Sequence, residues 1–152
     1  MAIDPALIGT ALPPIIVDVE AGRLRFFASA IGETDPVYTD LGAARAAGHP
    51  NLPVPPTFLF GLTLDGPDSF GFLGDLGVDL REVLHGEQEF TYHSVAHAGE
   101  TLVLRPVITD VYTKKGGALE FVVRNTAVTR ADGSAVADLT ETLIVRHWST
   151  SD

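Results

Sequence analysis

The sequence predicts an α+β fold, in which an antiparallel meander of strands is covered on its apolar face by one buried helix. Three observations predict it. From Val83 onward the residues move toward period-two alternation, in long runs rich in Val, Ile, Leu and Thr. Ahead of that point apolar residues recur instead at three- and four-residue spacing. Between the two regions lies Thr57-Phe58-Leu59-Phe60-Gly61-Leu62-Thr63-Leu64, apolar on nearly every side and suited to covering a sheet.

Taken in order, Ile15 to Val19 follows Pro13-Pro14 and reads as a short strand. Glu20 to Gly32 reads as a helix, because Leu24, Phe27, Ala28 and Ile31 form one stripe and Gly32 suits its C-terminal end. Leu41 to Gly48 predicts a short Ala-rich helix, again closed by glycine. The proline-rich stretch from Pro50 to Pro56 excludes a regular element. Residues 57–64 fit a buried strand or a buried helix by periodicity, and Pro55-Pro56 favours a helix start. Residues 65–82, with several glycines and aspartates, read as a loop holding at most a helical turn. Glu87 to His93, Thr101 to Thr113, Leu119 to Thr129 and Ala135 to Arg146 read as four strands. Pro106 points to a bulge or an edge position in the second of these. Lys114-Lys115-Gly116-Gly117 and Ala131-Asp132-Gly133-Ser134 read as hairpin turns.

The length of 152 residues suits a single domain spanning 1–152. No apolar run approaches the roughly 18 residues that span a bilayer, and Met1 to Pro5 lacks the basic and apolar parts of a signal peptide. The chain has no cysteine, which removes disulfides, thiol catalysis and thiolate metal sites and fits a cytoplasmic protein. A net charge of -10 argues against nucleic-acid binding, which depends on Lys and Arg neutralising phosphates. A phosphate-bearing ligand needs only a few local cations, and Lys114, Lys115, Arg81 and Arg124 are the candidates, although a charged pair in a turn is often only solvated.

The densest polar chemistry is Glu33-Thr34-Asp35-Pro36-Val37-Tyr38, directly after the predicted helix. This segment, together with Gly48 to Leu59 and Gln88 to Leu102, resembles the MaoC-like hydratase and dehydratase family, and in particular the N-terminal-half type of fatty-acid-synthase-like dehydratases. The resemblance runs from about Glu20 to Arg146 and implies a hotdog fold, a sheet wrapped around a central helix. It also implies reversible water addition to an enoyl thioester, with acyl-CoA or an acyl-carrier thioester as substrate and no further cofactor. A homodimer, or a heterodimer with a related hotdog chain, is implied as well. The family's catalytic motif is Gly-Asp-X-Asn-Pro-hydrophobic-His. Here Gly32 and Pro36 match it, while Glu33 stands for the aspartate, Asp35 for the asparagine and Tyr38 for the histidine. Both catalytic positions are therefore changed. A histidine near pH ~6.5 exchanges protons at neutrality, whereas a tyrosine near ~10 is a hydrogen-bond donor and a poor base. The longer Glu33 displaces its carboxylate, and a shift on the order of 1 Å can cost a hundredfold in rate.

Glu33, Asp35, Tyr38 and His49 are the catalytic candidates, and each has a plain structural reading. Asp before Pro commonly starts a turn, a tyrosine is often a packed aromatic, and His49 belongs to the loop before the central helix. His93 and His97 are four apart but flank a strand end and a loop, so the spacing does not signal a metal pair; His93 suits the surface or the rim of a cleft. For the acyl thioester, the Thr57 end of the helix would hold the carbonyl through free backbone N–H groups. Phe58, Phe60 and Leu62 would line the acyl tunnel or serve as core, and Lys114 and Arg124 would meet phosphates. There is no Gly-X-Ser-X-Gly elbow. Three functions follow: an enoyl-thioester hydratase with altered Asp and His, a non-catalytic acyl-binding subunit whose partner carries the intact pair, and a hotdog thioesterase.

Overall fold

The computed structural model describes residues 3–147. Met1 and Ala2, at the head of the segment read for targeting, and residues 148–152, the end of the single-domain span, lie outside the described residues. Five strands make one antiparallel sheet: β1 (Ile15–Asp18), β2 (Val83–Tyr92), β3 (Thr101–Lys114), β4 (Leu119–Arg130) and β5 (Ala135–Arg146). Their order across the sheet is β1-β3-β4-β5-β2. The long central strands bury one face and leave the other to partial exposure, the signature of a sheet packed on one side.

Against that buried face sit four short helices: α1 (Ala21–Ala30), α2 (Leu41–Ala46), α3 (Leu59–Leu62) and α4 (Gly71–Asp75). Phe58, Leu59 and Leu62 join Leu102, Leu104, Val128 and Leu139 of the sheet in one hydrophobic cluster, with Leu24 of α1 and Leu52 of the proline-rich segment. Each such buried aliphatic side chain contributes about 1.5–3 kcal/mol relative to exposure. A sheet curved over a central buried segment is the hotdog arrangement.

The central helix is shorter than the expected 57–64. Thr57 adopts φ 74°, in the left-handed region, so the helix cannot start there; only Leu59–Leu62 is α-helical. The tandem prolines set a tight turn instead, with Phe58 N–H donating to the Pro55 carbonyl. Residues 65–82, expected as a loop with room for a helical turn, hold α4 and a 3₁₀ turn at Leu80–Glu82. β2 starts at Val83 rather than Glu87, because a bulge between His85 and Glu87 hides the alternation. Gly86 sits at this bulge, where a Cβ would meet Ile144 Cδ1 at 2.7 Å.

Pro106 lies in an inner strand, opposite Thr126, and the β3 bulge falls between Ile108 and Asp110. The edge reading holds only locally. β1 pairs with β3 no further than Leu104, and the Pro106 carbonyl accepts from Leu12 N–H across that side. The missing proline donor therefore faces the irregular segment 9–12, which bridges β3 at Ala11 and Val107 beyond the end of β1. In α1, Leu24 and Ala28 are buried as the stripe predicts, but Ile31 lies past the helix end and is exposed.

Candidate functional site

The chain leaves α1 through Gly32, whose φ of 73° suits glycine, while Glu33 N–H returns to the Ala28 carbonyl. The next residues then fold on themselves. Glu33 Oε1 accepts from Asp35 N–H at 3.0 Å, and Asp35 Oδ1 accepts from Val37 N–H at 3.0 Å, capping the 3₁₀ turn Pro36–Tyr38. Both carboxylates are thus engaged within their own turn.

That turn presents Val37 and Tyr38 to a pocket of about 350 Å³, whose lining also includes His49, Tyr92, His93 and Leu59. Glu33 and Asp35 are not among the lining residues, so the structure divides the four catalytic candidates: Tyr38 and His49 meet, and the two carboxylates stay behind them. Burial raises the Tyr38 pKa above its ordinary value, and the nearby charges of Glu33 and Asp35 raise it further. The side chain is a phenol at neutral pH, a donor and not a base.

His49 is set by α2, its N–H bonding to the Ala44 carbonyl after Gly48 turns at φ 94°. Its Nδ1 lies 3.0 Å from His97 Nε2. Behind His97, Glu100 Oε2 accepts the His97 backbone N–H at 2.6 Å and lies 3.9 Å from its Nδ1. Glu100 Oε1 accepts from Arg130 Nε at 2.7 Å, and Arg130 also donates to Ser94 Oγ and the Val95 carbonyl. Burial lowers the His97 pKa; Glu100 opposes this, and His49 and Arg130 add to it. In the tautomer that turns the His97 Nδ1 proton toward Glu100, His97 Nε2 accepts from His49 Nδ1–H and His49 Nε2 is an acceptor. On the opposite wall His93 Nε2 is 2.7 Å from Asp138 Oδ2, and the ring is both part-exposed and on the pocket lining.

The Thr57 end differs from the expected carbonyl cradle. Its N–H donates to the Tyr92 hydroxyl at 2.8 Å, and the four-residue α3 that follows has little dipole to offer. Phe58 is buried, edge-on to Phe27 with ring centroids 5.3 Å apart, and so belongs to the core. Leu62 is fully buried in the same core, while Phe60 packs on the His85 ring at 5.1 Å.

The candidate cations do not converge. Lys114 lies over the stacked Tyr112 and Phe121 rings at the β3–β4 turn, on the order of 40 Å along β3 from its Thr101 end. Arg124 is buried in an ion pair with Glu141, Nη2 to Oε2 at 2.5 Å. Arg81 is exposed and paired with Asp79, whose carboxyl it pulls down to about 2. Tyr92, His97, Glu100 and Arg130 are the site residues that sequence reasoning misses. For the first three the signal was present in Tyr92-His93-Ser94-Val95-Ala96-His97-Ala98-Gly99-Glu100, where a strand end followed by a turn gathers polar side chains at and behind one pocket; Arg130, at the end of β4, gave none. Among the described residues no group of three or more His, Asp or Glu could hold a metal ion, and no helix is long and apolar enough to cross a membrane.

This site can be set against known proteins. A UPF0336 protein of Clavibacter michiganensis is 38% identical over 149 residues, covering 96% of this chain and 97% of its own. Among solved structures, the HadBC (3R-hydroxyacyl-ACP dehydratase) complex of Mycobacterium tuberculosis superposes with TM-score 0.79 at 26% identity, covering 91% of this chain and 96% of the other. The ChsH1-ChsH2 complex of the same organism gives TM-score 0.74 at 25% identity, with 93% and 91% covered. Residues 6–139 match the family described as FAS1-like, dehydratase domain region. With that match running from ahead of β1 well into β5, and with the hotdog sheet and altered motif in place, the chain belongs to the FAS1-like dehydratase family of MaoC-like hotdog proteins.

Proposed function

We propose that this chain is the acyl-binding subunit of a two-chain hotdog hydratase/dehydratase acting on an acyl-CoA or acyl-carrier thioester, with a related chain supplying the Asp/His pair. One observation carries the reading: neither Glu33 nor Asp35 lines the pocket, each carboxylate accepting through one oxygen from a backbone N–H of its own turn, and a phenol stands where the family's histidine would be. Of the altered motif positions only Tyr38 reaches the pocket lining, and it offers a hydrogen-bond donor in place of a base. The pocket suits holding an acyl group, with apolar walls from Val54, Pro56, Leu59 and Val136 and the Tyr38 hydroxyl as donor.

Pairing is supported by β2, which among the described residues pairs with β5 alone at the end of the sheet, with Leu84 exposed. The neighbours HadBC and ChsH1-ChsH2 are themselves complexes of two chains. The division of labour is then simple: the partner's carboxylate and imidazole move the proton and the water, while this chain positions the acyl group.

A second reading rests on His49, which lines the same pocket as Tyr38 and is held through Nδ1 by His97. In it the chain hydrates enoyl thioesters alone, with His49 carrying the proton that Tyr38 cannot.

The test is a crotonyl-CoA assay of the purified chain, alone and co-expressed with a related chain bearing Gly-Asp-X-Asn-Pro-X-His. Silence alone and loss of enoyl absorbance together support the subunit reading. Full hydration by the chain alone, abolished by His49→Gln, establishes the second reading instead. Release of free CoA by the chain alone identifies a thioesterase.

A further inference from the structure

Arg124, Thr126 and Glu141 interrupt the apolar inner face of the sheet where two hydrophobic clusters meet. One cluster holds Leu104, Val128 and Leu139, and the other Ile108, Val122 and Leu143. Between them on their own strands stand Pro106, then Arg124 and Thr126, then Glu141, all buried. Burying a charged pair in the middle of a core face has a desolvation cost that apolar residues of similar volume avoid. Here the polar seam borders a second cavity of about 300 Å³. It is at the other end of α3 from the Tyr38 pocket: Leu59 lines the one and Thr63, just past the helix, lines the other.

We infer that this seam cavity is a second ligand site, for a molecule with an apolar body and one neutral hydrogen-bond-accepting oxygen, a ketone in its simplest form. The body is matched by walls of Leu12, Pro13, Ile15, Pro67 and Phe72. The oxygen is matched by two donors. Thr126 is 4% exposed, and its hydroxyl has no hydrogen-bond partner among the described residues, although it lines the cavity. By contrast the neighbouring Thr63 hydroxyl is already committed, donating to the Phe60 carbonyl at 2.6 Å. Arg124 spends Nε and Nη2 on Glu141 Oε2, but Nη1 has only a long 3.4 Å contact to the Ser69 carbonyl and keeps donor capacity.

Charge selects a neutral ligand. Glu141 cancels the Arg124 charge, and Asp68 and Asp75 also line the cavity, so a carboxylate or phosphate meets a net negative surround. The site is independent of the subunit reading, since it shares no lining residue with the Tyr38 pocket.

The full chain is titrated with cyclohexanone, cyclohexane and hexanoate while backbone amide shifts are followed by NMR. The ketone is expected to shift the amides of Thr63, Phe72 and Thr126. Thr126→Val, which keeps the shape and removes the hydroxyl, weakens ketone binding about fivefold, the factor equivalent to one neutral hydrogen bond. Thr126→Ser restores it, and cyclohexane binding is unchanged in both variants. Unaltered ketone affinity in Thr126→Val, tighter binding of hexanoate than of the ketone, or shifts centred on Tyr38 and His49 each overturn the assignment. So does the absence of any shift with the ketone.

Discussion

His49 Nδ1 and His97 Nε2 face each other at 3.0 Å, a separation at which the two rings share one proton and cannot both be cationic without repulsion. The pair joins the pocket to the interior, since His97 is anchored behind by Glu100 and Glu100 by Arg130. The His97 pKa is lowered, with burial as the first cause.

That lowering makes stability depend on pH in a definite direction. Between the folded pKa of His97 and its ordinary value of 6.5, the unfolded chain binds more protons than the folded one. The contribution is therefore complete above the ordinary value and is lost as pH falls through the folded one. The urea midpoint should decline as pH falls below about 6.5, the ordinary histidine value, and the decline should be smaller in His97→Gln. Equal declines in both proteins would show that other groups carry the effect.

The Arg124–Glu141 pair gives a sharper stability prediction. Both residues are 4% exposed, so removing either side chain strands the other charge in the core. Arg124→Met or Glu141→Gln should each cost about 3–5 kcal/mol in urea unfolding. The double variant Arg124→Met/Glu141→Leu should recover most of that loss, because no unpaired charge is left. A double variant as unstable as the sum of the singles would mean that the two side chains act independently and that a stranded charge is not the source of the cost.

What the sequence disclosed and what it hid differ by the range of the interactions involved. The stripe Leu24 to Ala28 fixed α1, and Asp132-Gly133 marked a hairpin whose Gly133 sits at φ 87°, because both signals depend on neighbours a few residues away. The altered motif at Glu33, Asp35 and Tyr38 was legible for the same reason. The His49–His97–Glu100–Arg130 chain was not, since its members come from the loop after α2, the turn after β2 and the far end of β4. Arg124 was read as a cation for phosphate because its partner Glu141 lies on another strand. The short α3 was misjudged on a single residue, Thr57, whose left-handed backbone no propensity rule assigns to a β-branched side chain.

Thr57 itself supports the last prediction. A threonine at φ 74° is strained by roughly 1–3 kcal/mol, and its N–H bond to the Tyr92 hydroxyl at 2.8 Å helps to hold it there. Thr57→Gly removes the Cβ clash and should stabilise the fold by about 1 kcal/mol, even after the entropy that glycine gains when unfolded. Tyr92→Phe should destabilise by about 1 kcal/mol through loss of one hydrogen bond. The two changes act on one bond, so they should not add. Without the hydroxyl the turn is free to relax, and the gain from glycine should shrink by more than about 0.5 kcal/mol in a double-mutant cycle. Because Pro56, Leu59 and Tyr92 all line the Tyr38 pocket, relaxing this turn also widens the cavity. Thr57→Gly should therefore unfold at higher urea yet hold an acyl thioester less tightly than the native chain, and a variant that gained on both counts would show that the strain has no part in shaping the pocket.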